Sequence, residues 1–88
     1  MEFSWDEAKR LKNLAKHGLD FADVPLMDWT TATILEDVRA DYGERRFWAF
    51  ATWDGRLRLV AFAFRGEKVR IISFRRASQK EARRYGKP

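Results

Sequence analysis

An 88-residue chain with no cysteine and one histidine, His17, cannot build disulfides, thiolate metal sites or a multi-histidine centre. Its net charge of +5 is unevenly placed: residues 1–64 carry nine Lys/Arg against eleven Asp/Glu (−2) and residues 65–88 nine against two (+7), which sum to +5. This asymmetry predicts a polyanionic partner for the last quarter, nucleic acid ahead of an anionic membrane, with an acidic protein as a third option.

Hydrophobic residues at 45%, seven Phe and four Trp among them, argue against disorder. A single domain spanning residues 1–88 is expected, burying somewhat over ~60% of its unfolded surface. The start, MEFSWDEAKR, has no apolar signal segment, and no run approaches the ~20 residues that cross a bilayer. A cytoplasmic protein without a membrane partner is expected.

Ser4 and Glu7 have the spacing of a capping box, which predicts a helix from Trp5 to His17, with Gly18 at its left-handed end. Trp5, Ala8, Leu11 and Ala15 form its apolar stripe. Asp20 can cap a second short helix over Phe21 to Met27, kept short by Pro25. The period then changes to two. Strands are predicted over Thr30 to Glu36 (an edge), Arg46 to Trp53, Arg56 to Phe64 and Lys68 to Arg75, with a turn-rich connection at Asp37 to Glu44. Asp54-Gly55 is a hairpin signal, and Arg65-Gly66-Glu67 turns the chain again. The third strand is apolar on both faces, with Leu57, Leu59, Ala61 and Ala63 on one and Val60, Phe62 and Phe64 on the other. Both faces of the sheet therefore need cover. Ser78 and Glu81 repeat the capping-box spacing and open a last helix to Tyr85. The expected fold is α+β in the order ααββββα: two N-terminal helices, a four-stranded mainly antiparallel sheet and a C-terminal helix.

WDEAKRLKNLAKHGLDF (Trp5–Phe21), DYGERR (Asp41–Arg46) and RIISFRRASQKEARRY (Arg70–Tyr85) resemble three blocks of the BrnT family, small toxins of bacterial type II toxin–antitoxin pairs. The resemblance spans nearly the whole chain. It implies a RelE-like fold and a ribosome-independent endoribonuclease that cuts RNA without metal or other cofactor and inhibits translation. It also implies a BrnA-like ribbon-helix-helix antitoxin, a heterotetramer of the two, and contact with operator DNA through the antitoxin. Phe74 departs from the small residue of the family's RIISARRA-like block, and would stack on RNA or narrow the pocket if it faced the site.

Metal-free RNA cleavage turns the 2′-OH onto the adjacent phosphate, and needs a proton acceptor, a proton donor and positive charge around the phosphoryl oxygens. Arg70, Arg75 and Arg76 crowd the end of the last strand, where guanidinium can grip phosphate in bidentate fashion. Alternation puts Arg70 and Arg76 on one pleat face and Arg75 on the other. The blander reading is a solvated strand end paired with Glu67 or Glu81. His17 titrates near neutrality and suits acid or base catalysis, though it also suits a helix C-terminus. Asp6, Lys9, Asn13 and Lys16 form a polar stripe leading to it, ordinarily a solvent-facing one. The stripe coincides with the family pattern WDxxKxxxNxxKHG, and makes Lys9, Asn13 and Lys16 candidate RNA contacts together with Arg45 and Arg70. Glu44 is a candidate base or an ion-pair partner for Arg45 or Arg75, and its neighbouring arginines would make it a weak base. Tyr85 could donate a proton, as terminal tyrosines do in some RelE-like relatives, or simply pack the last helix. Trp48, Trp53, Phe62 and Phe74 could stack bases but suit a core better. The alternative to an enzyme is a non-catalytic nucleic-acid-binding or protein-interaction module that uses the same basic surface.

Overall fold

Ser4 belongs to a strand, and the capping role passes to Asp6. In the computed structural model, which describes residues 2–86, the chain opens with β1 (Glu2–Ser4) and continues into α1 (Glu7–His17). Asp6 accepts from the Lys9 backbone N–H at 3.0 Å, so α1 begins two residues later than the sequence spacing suggests. Gly18 closes α1 in the left-handed conformation (φ 69°) that the sequence assigns to it. The predicted second helix is a 3₁₀ helix, Phe21–Leu26, capped by Asp20, and a second 3₁₀ turn covers Trp29–Thr31. Pro25 has no N–H to donate, so an α-helical ladder cannot continue through this segment. The strands β2 (Thr33–Asp37), β3 (Arg46–Trp53), β4 (Arg56–Arg65) and β5 (Lys68–Arg76) follow, then α2 (Gln79–Tyr85).

The fold is α+β around one five-stranded mixed sheet in the order β1-β5-β4-β3-β2. The expected meander of four antiparallel strands is present as β2 to β5, with β2 at the edge. The fifth strand is β1, parallel to β5 with Ser4 opposite Arg70. Three residues give too little alternation to announce a strand. What fixes this one is Phe3, which packs on the core and lies 5.9 Å from the Trp29 ring.

Residues directly opposite each other across strands share a face. One face carries Ala49, Ala51, Val60, Phe62, Val69, Ile71 and Phe74, and Leu19, Phe21, Val24 and Met27 pack onto it. The other carries Phe50 and Leu59, covered by Ala77 and by Tyr85 of α2. The first face is therefore covered, and the second only where Ala77 and α2 reach Phe50 and Leu59. Phe74 lies fully inside the first core, beside Trp53, so it neither stacks on RNA nor narrows a site on the second face.

A β-bulge in β5 overturns the expected alternation of its arginines. The register steps from Phe62 opposite Ile71 to Ala61 opposite Ser73, leaving Ile72 as the extra residue. Arg70 (opposite Ala63) and Arg75 (opposite Leu59) consequently share the second face, and Arg76 (opposite Arg58) points to the first.

The apolar stripe of α1 is also not where amphipathicity puts it. Only Trp5 reaches the core, edge-on to Phe21; Ala8, Leu11 and Ala15 are exposed. The residue that α1 buries is Asn13, 8% accessible. Beyond Arg70 the edge of β5 has no further partner from β1, and the Asn13 side chain fills the gap. Its Nδ2 donates to the Phe74 carbonyl at 2.7 Å and to the Leu19 carbonyl at 3.1 Å, and its Oδ1 accepts from the Phe74 N–H at 3.1 Å. One amide thus pairs with β5 as a strand residue would. Asn13→Ala would strand the Phe74 N–H and C=O and the Leu19 carbonyl, and buried groups so stranded cost ~1–3 kcal/mol each. Denaturant unfolding is expected to show a loss of about 3 kcal/mol, against less than about 0.5 kcal/mol for exposed Ala15→Ser.

Candidate active site

Because Asn13 ties α1 to the edge of β5, the polar stripe of the helix faces the sheet. Lys9, Lys12, Asn13, Lys16 and His17 line a groove of about 230 Å³ with Ile72 and Ser73 at the bulge. Next to it, the second face of the sheet presents three rows. Arg46, Ala63, Arg70 and Ser4 form the first; Trp48, Ala61 and Ser73 the second; Phe50, Leu59 and Arg75 the third. The Tyr85 ring of α2 lies flat on Phe50 in the third row, centroids 4.4 Å apart.

Charge is arranged unevenly over this surface. Arg75 donates from both terminal nitrogens to Glu81 at 2.8 and 3.0 Å, and Glu81 also receives the Ser78 N–H in the capping box of α2. Hydrogen bonds from Arg75, opposed by partial burial and aided by Ser78, hold the Glu81 carboxyl down at about 2. Glu44 accepts from Arg65 at 3.0 Å and sits 3.7 Å from Arg46 Nε; its expected partners Arg45 and Arg75 pair elsewhere. Its pKa is lowered by the Arg65 hydrogen bond first, with the charges of Arg65, Arg46 and Lys9 adding to that. A carboxylate so held is a poor proton acceptor near neutrality and a good orienting partner. Arg70, half-buried in the first row, has no ion pair among the described residues, and neither do Lys9, Lys12 and Lys16.

His17 stands at the end of the groove. Partial desolvation of this otherwise exposed side chain, then the charges of Lys16 and of Arg75, push its imidazole below the ordinary value and favour the neutral form. Ser73, which lines the groove with His17, stands between the rows of Arg70 and Arg75 on the second face. Among the described residues no three His, Asp or Glu side chains are arranged to hold a metal ion; positive charge here comes from Lys and Arg.

The site candidates thus divide. His17, Lys9, Lys16, Arg70 and Arg75 border one surface. Asn13 borders it too, but both its N–H donors and its carbonyl are bonded to backbone, which makes it a positioning residue and not a ligand with a hand free. Arg45 is turned to the first face, paired with Glu36 at 2.9 Å and lying over Phe47. Arg76 also points to the first face, and it borders a separate hollow of about 520 Å³ between the Gly55 turn and the start of α2. Tyr85 is half-buried with its ring against Phe50. Three residues of the surface were missed from sequence: Arg46, Ser73 and Lys12. Arg46 was findable, since it shares parity with Trp48 along β3; Ser73 was hidden by the bulge.

The rim opposite α1 is the connection from β2 to β3. Asp37, buried, accepts from the backbone N–H, Nε and a terminal nitrogen of Arg39 and from the Tyr42 hydroxyl. Arg39 lies over the Trp48 ring at 4.4 Å, and Arg46 over Tyr42 at 4.2 Å. Cation–π stacking thus lines this rim with aromatic faces backed by guanidinium.

A basic groove with a histidine, beside a sheet face bearing Arg70 and Arg75, has the residue types that RNA chemistry requires. Residues 5–81 match the family of the ribonuclease toxin BrnT of type II toxin–antitoxin systems. The chain belongs to the BrnT family. Membership gives a ribonuclease toxin, with RNA as substrate and an antitoxin as partner at the level of the family. The matched span of this BrnT chain takes in α1, the whole of β5 and Glu81; Tyr85 lies beyond it. No curated protein matches the chain. No helix among the described residues is long and apolar enough to cross a membrane.

Glu81 and Asp37 give the acid behaviour its sign. Both carboxyls stand at about 2 in the folded chain, below their ordinary 4.5 and 3.8. Depressed folded values mean stability that is full above the unfolded pKa and lost as pH falls through the folded one. Unfolding free energy is therefore expected to fall steadily from about pH 4.5 to about pH 2. Glu81→Gln should lower stability at pH 6 and flatten that decline, measured by urea titration across the range.

Proposed function

We propose that this BrnT chain is a metal-independent, ribosome-independent endoribonuclease whose site is the α1–β5 groove together with the adjoining sheet face. The observation that carries the reading is Arg70: a half-buried guanidinium with no carboxylate partner among the described residues, sharing a face with Arg75 and with Ser73, which lines the His17 groove. An unpaired cation held this way suits an anion that arrives from outside. In the proposed reaction the neutral His17 imidazole takes the 2′-OH proton, O2′ bonds to the adjacent phosphorus, and the bond to the 5′-oxygen breaks. That oxygen leaves with a proton from water in the open groove, giving a 2′,3′-cyclic phosphate and a 5′-hydroxyl. Arg70 and Arg75 stabilise the phosphoryl oxygens, where charge develops. Lys9 and Lys16 hold neighbouring phosphates. Glu44 serves as orienting partner of Arg46 and not as base, Tyr85 packs α2, and Arg45 and Arg76 lie outside the reaction.

Cleavage of cellular RNA would inhibit translation. A BrnA-like ribbon-helix-helix antitoxin would neutralise the chain in a heterotetramer and carry the contact with operator DNA. The arrangement of helices against a mixed sheet, with the site on one sheet face, is compatible with the RelE-like fold and a cytoplasmic setting.

Purified chain incubated with labelled RNA in EDTA is expected to yield cyclic-phosphate ends. Arg70→Ala and His17→Gln should each reduce kcat/KM by about a hundredfold or more, in the range of lost acid–base or electrostatic contributions. Since His17 is pushed below its ordinary value of 6.5, the acidic limb of the wild-type kcat/KM profile should have its midpoint below pH 6.5 and vanish in His17→Gln. Binding without product would instead identify a nucleic-acid-binding module, and cleavage by the His17→Gln, Arg70→Ala double variant would remove the site assignment.

A further inference from the structure

The outward side of α1 is unexplained by RNA cleavage. Ala8, Leu11 and Ala15 are exposed, Leu11 at 52%, with Leu14 at 37% beside them. A surface helix ordinarily turns such a stripe to the core; here the core contact is made by Asn13 and the leucines look outward. A single exposed leucine needs no account. A whole stripe turned away from the sheet, on a helix whose polar side is docked instead, does need one. The spacing of three and four residues through Ala8, Leu11 and Ala15 is that of a helix–helix seam, with small residues on either side of one large knob. Lys12 flanks the seam and Lys16 follows it one turn later, and neither has an ion pair among the described residues.

We infer that this face of α1 is the docking surface for the protein partner of the toxin, and that the partner's contacting segment is an acidic amphipathic helix. Three occupants can be compared on charge and apolarity. RNA would satisfy the lysines and leave Leu11 and Leu14 in water. A second copy of this chain, packed antiparallel about Leu11, would bring Lys12 against its own symmetry mate, an opposition of like charges. An acidic helix with apolar residues at i, i+3 and i+7 meets both the leucines and the lysines. Such a partner would lie along α1 on the side away from the sheet, with its acidic edge reaching the lysines at the lip of the groove. The inference rests on family membership, which supplies a protein partner, and does not depend on the catalytic assignment.

The test titrates the purified chain with the purified antitoxin encoded by the reading frame beside its own, following affinity by calorimetry. Leu11→Lys is solvent-facing and should leave thermal unfolding and RNA cleavage by the free protein unchanged while weakening the complex by about tenfold or more, the scale of a hot-spot loss. Wild-type affinity should fall with added salt. Because the chain has no native cysteine, Leu11→Cys supplies a unique thiol, and maleimide should modify it readily in the free protein and slowly in the complex. Unchanged affinity in Leu11→Lys, or a thiol equally reactive in both states, overturns the assignment of this surface. Self-association of the free chain that Leu11→Lys abolishes would overturn it in favour of a second copy. Failure of RNA cleavage with these binding results intact would count against the proposed function alone.

Discussion

The contact between the Asn13 amide and the backbone of Phe74 is the constraint on which the arrangement of the molecule turns. A three-residue β1 can satisfy only the first part of the edge of β5. Beyond it, open N–H and C=O groups would invite another strand or remain unpaired. An asparagine presents a donor and an acceptor in one plane, as a peptide group does, so a helix can dock where a strand would otherwise be needed. That docking fixes the rotation of α1. With Asn13 toward the sheet, the residues three or four positions away, Lys9, Lys16 and His17, are set along the same border, and the leucines are set opposite. The third bond of the amide, to Leu19, ties in the turn that leads to the 3₁₀ helix and hence to the first core. One buried polar side chain thereby holds the helix, the edge strand and the following turn in register, a specifying role for which apolar contacts are less suited.

The second determinant is the bulge at Ile72. Without it Arg70 would share its face with Arg76, and Arg75 would point to the opposite side of the sheet. One inserted residue rotates the rest of the strand by half a pleat period. Charge pairing then distinguishes the two arginines that result. Arg75 is held by Glu81, which is itself engaged by the N-terminal turn of α2. Arg70 has no such hold among the described residues. A paired guanidinium is oriented and partly neutralised; an unpaired one keeps its full attraction for an incoming anion. Among the described residues, one face thus carries a fixed cation, Arg75, and an unpaired one, Arg70.

Much of the fold was legible in the sequence. Turn chemistry and alternation located β2 to β5 within a few residues. The Ser78 capping box and Gly18 were read correctly because each is a local device whose residues act on their own neighbours. The misreadings share a cause of another kind. The cap at Ser4, the apolar stripe of α1 and the face of Arg70 each depended on what a distant segment does. Ser4 is drawn into a strand by β5, sixty-odd positions away, and Asn13 is drawn inward by the same strand. The register that reverses Arg70 is set by pairing with β4, which no window along the chain reveals. The site followed the same division. Its residue types were readable, since a lone histidine and clustered arginines are compositional facts. Which of them share a surface was not, and Arg45, Arg76 and Phe74 fell on the far face for reasons of parity alone.

The inversion of α1 also links the two surfaces of the helix. An apolar stripe could in principle have been buried and the lysines left in water, the arrangement its amphipathicity favours. Local preference and the observed docking disagree here, and such conflicts in natural proteins concentrate at working surfaces. The disagreement has a definite energetic form: the hydrogen bonds of one amide, reinforced by the need to close a sheet edge, outweigh the burial of two leucines and two alanines. Exposed leucines forgo only part of their transfer free energy, at roughly 25 cal/mol per Å². Stranded backbone groups cost of order 1–3 kcal/mol each with no partial remedy inside a covered edge. Once Asn13 is committed inward, the helix has a cationic side that faces the sheet groove and an apolar side that faces away. A single rigid element then presents opposite chemistries on its two sides.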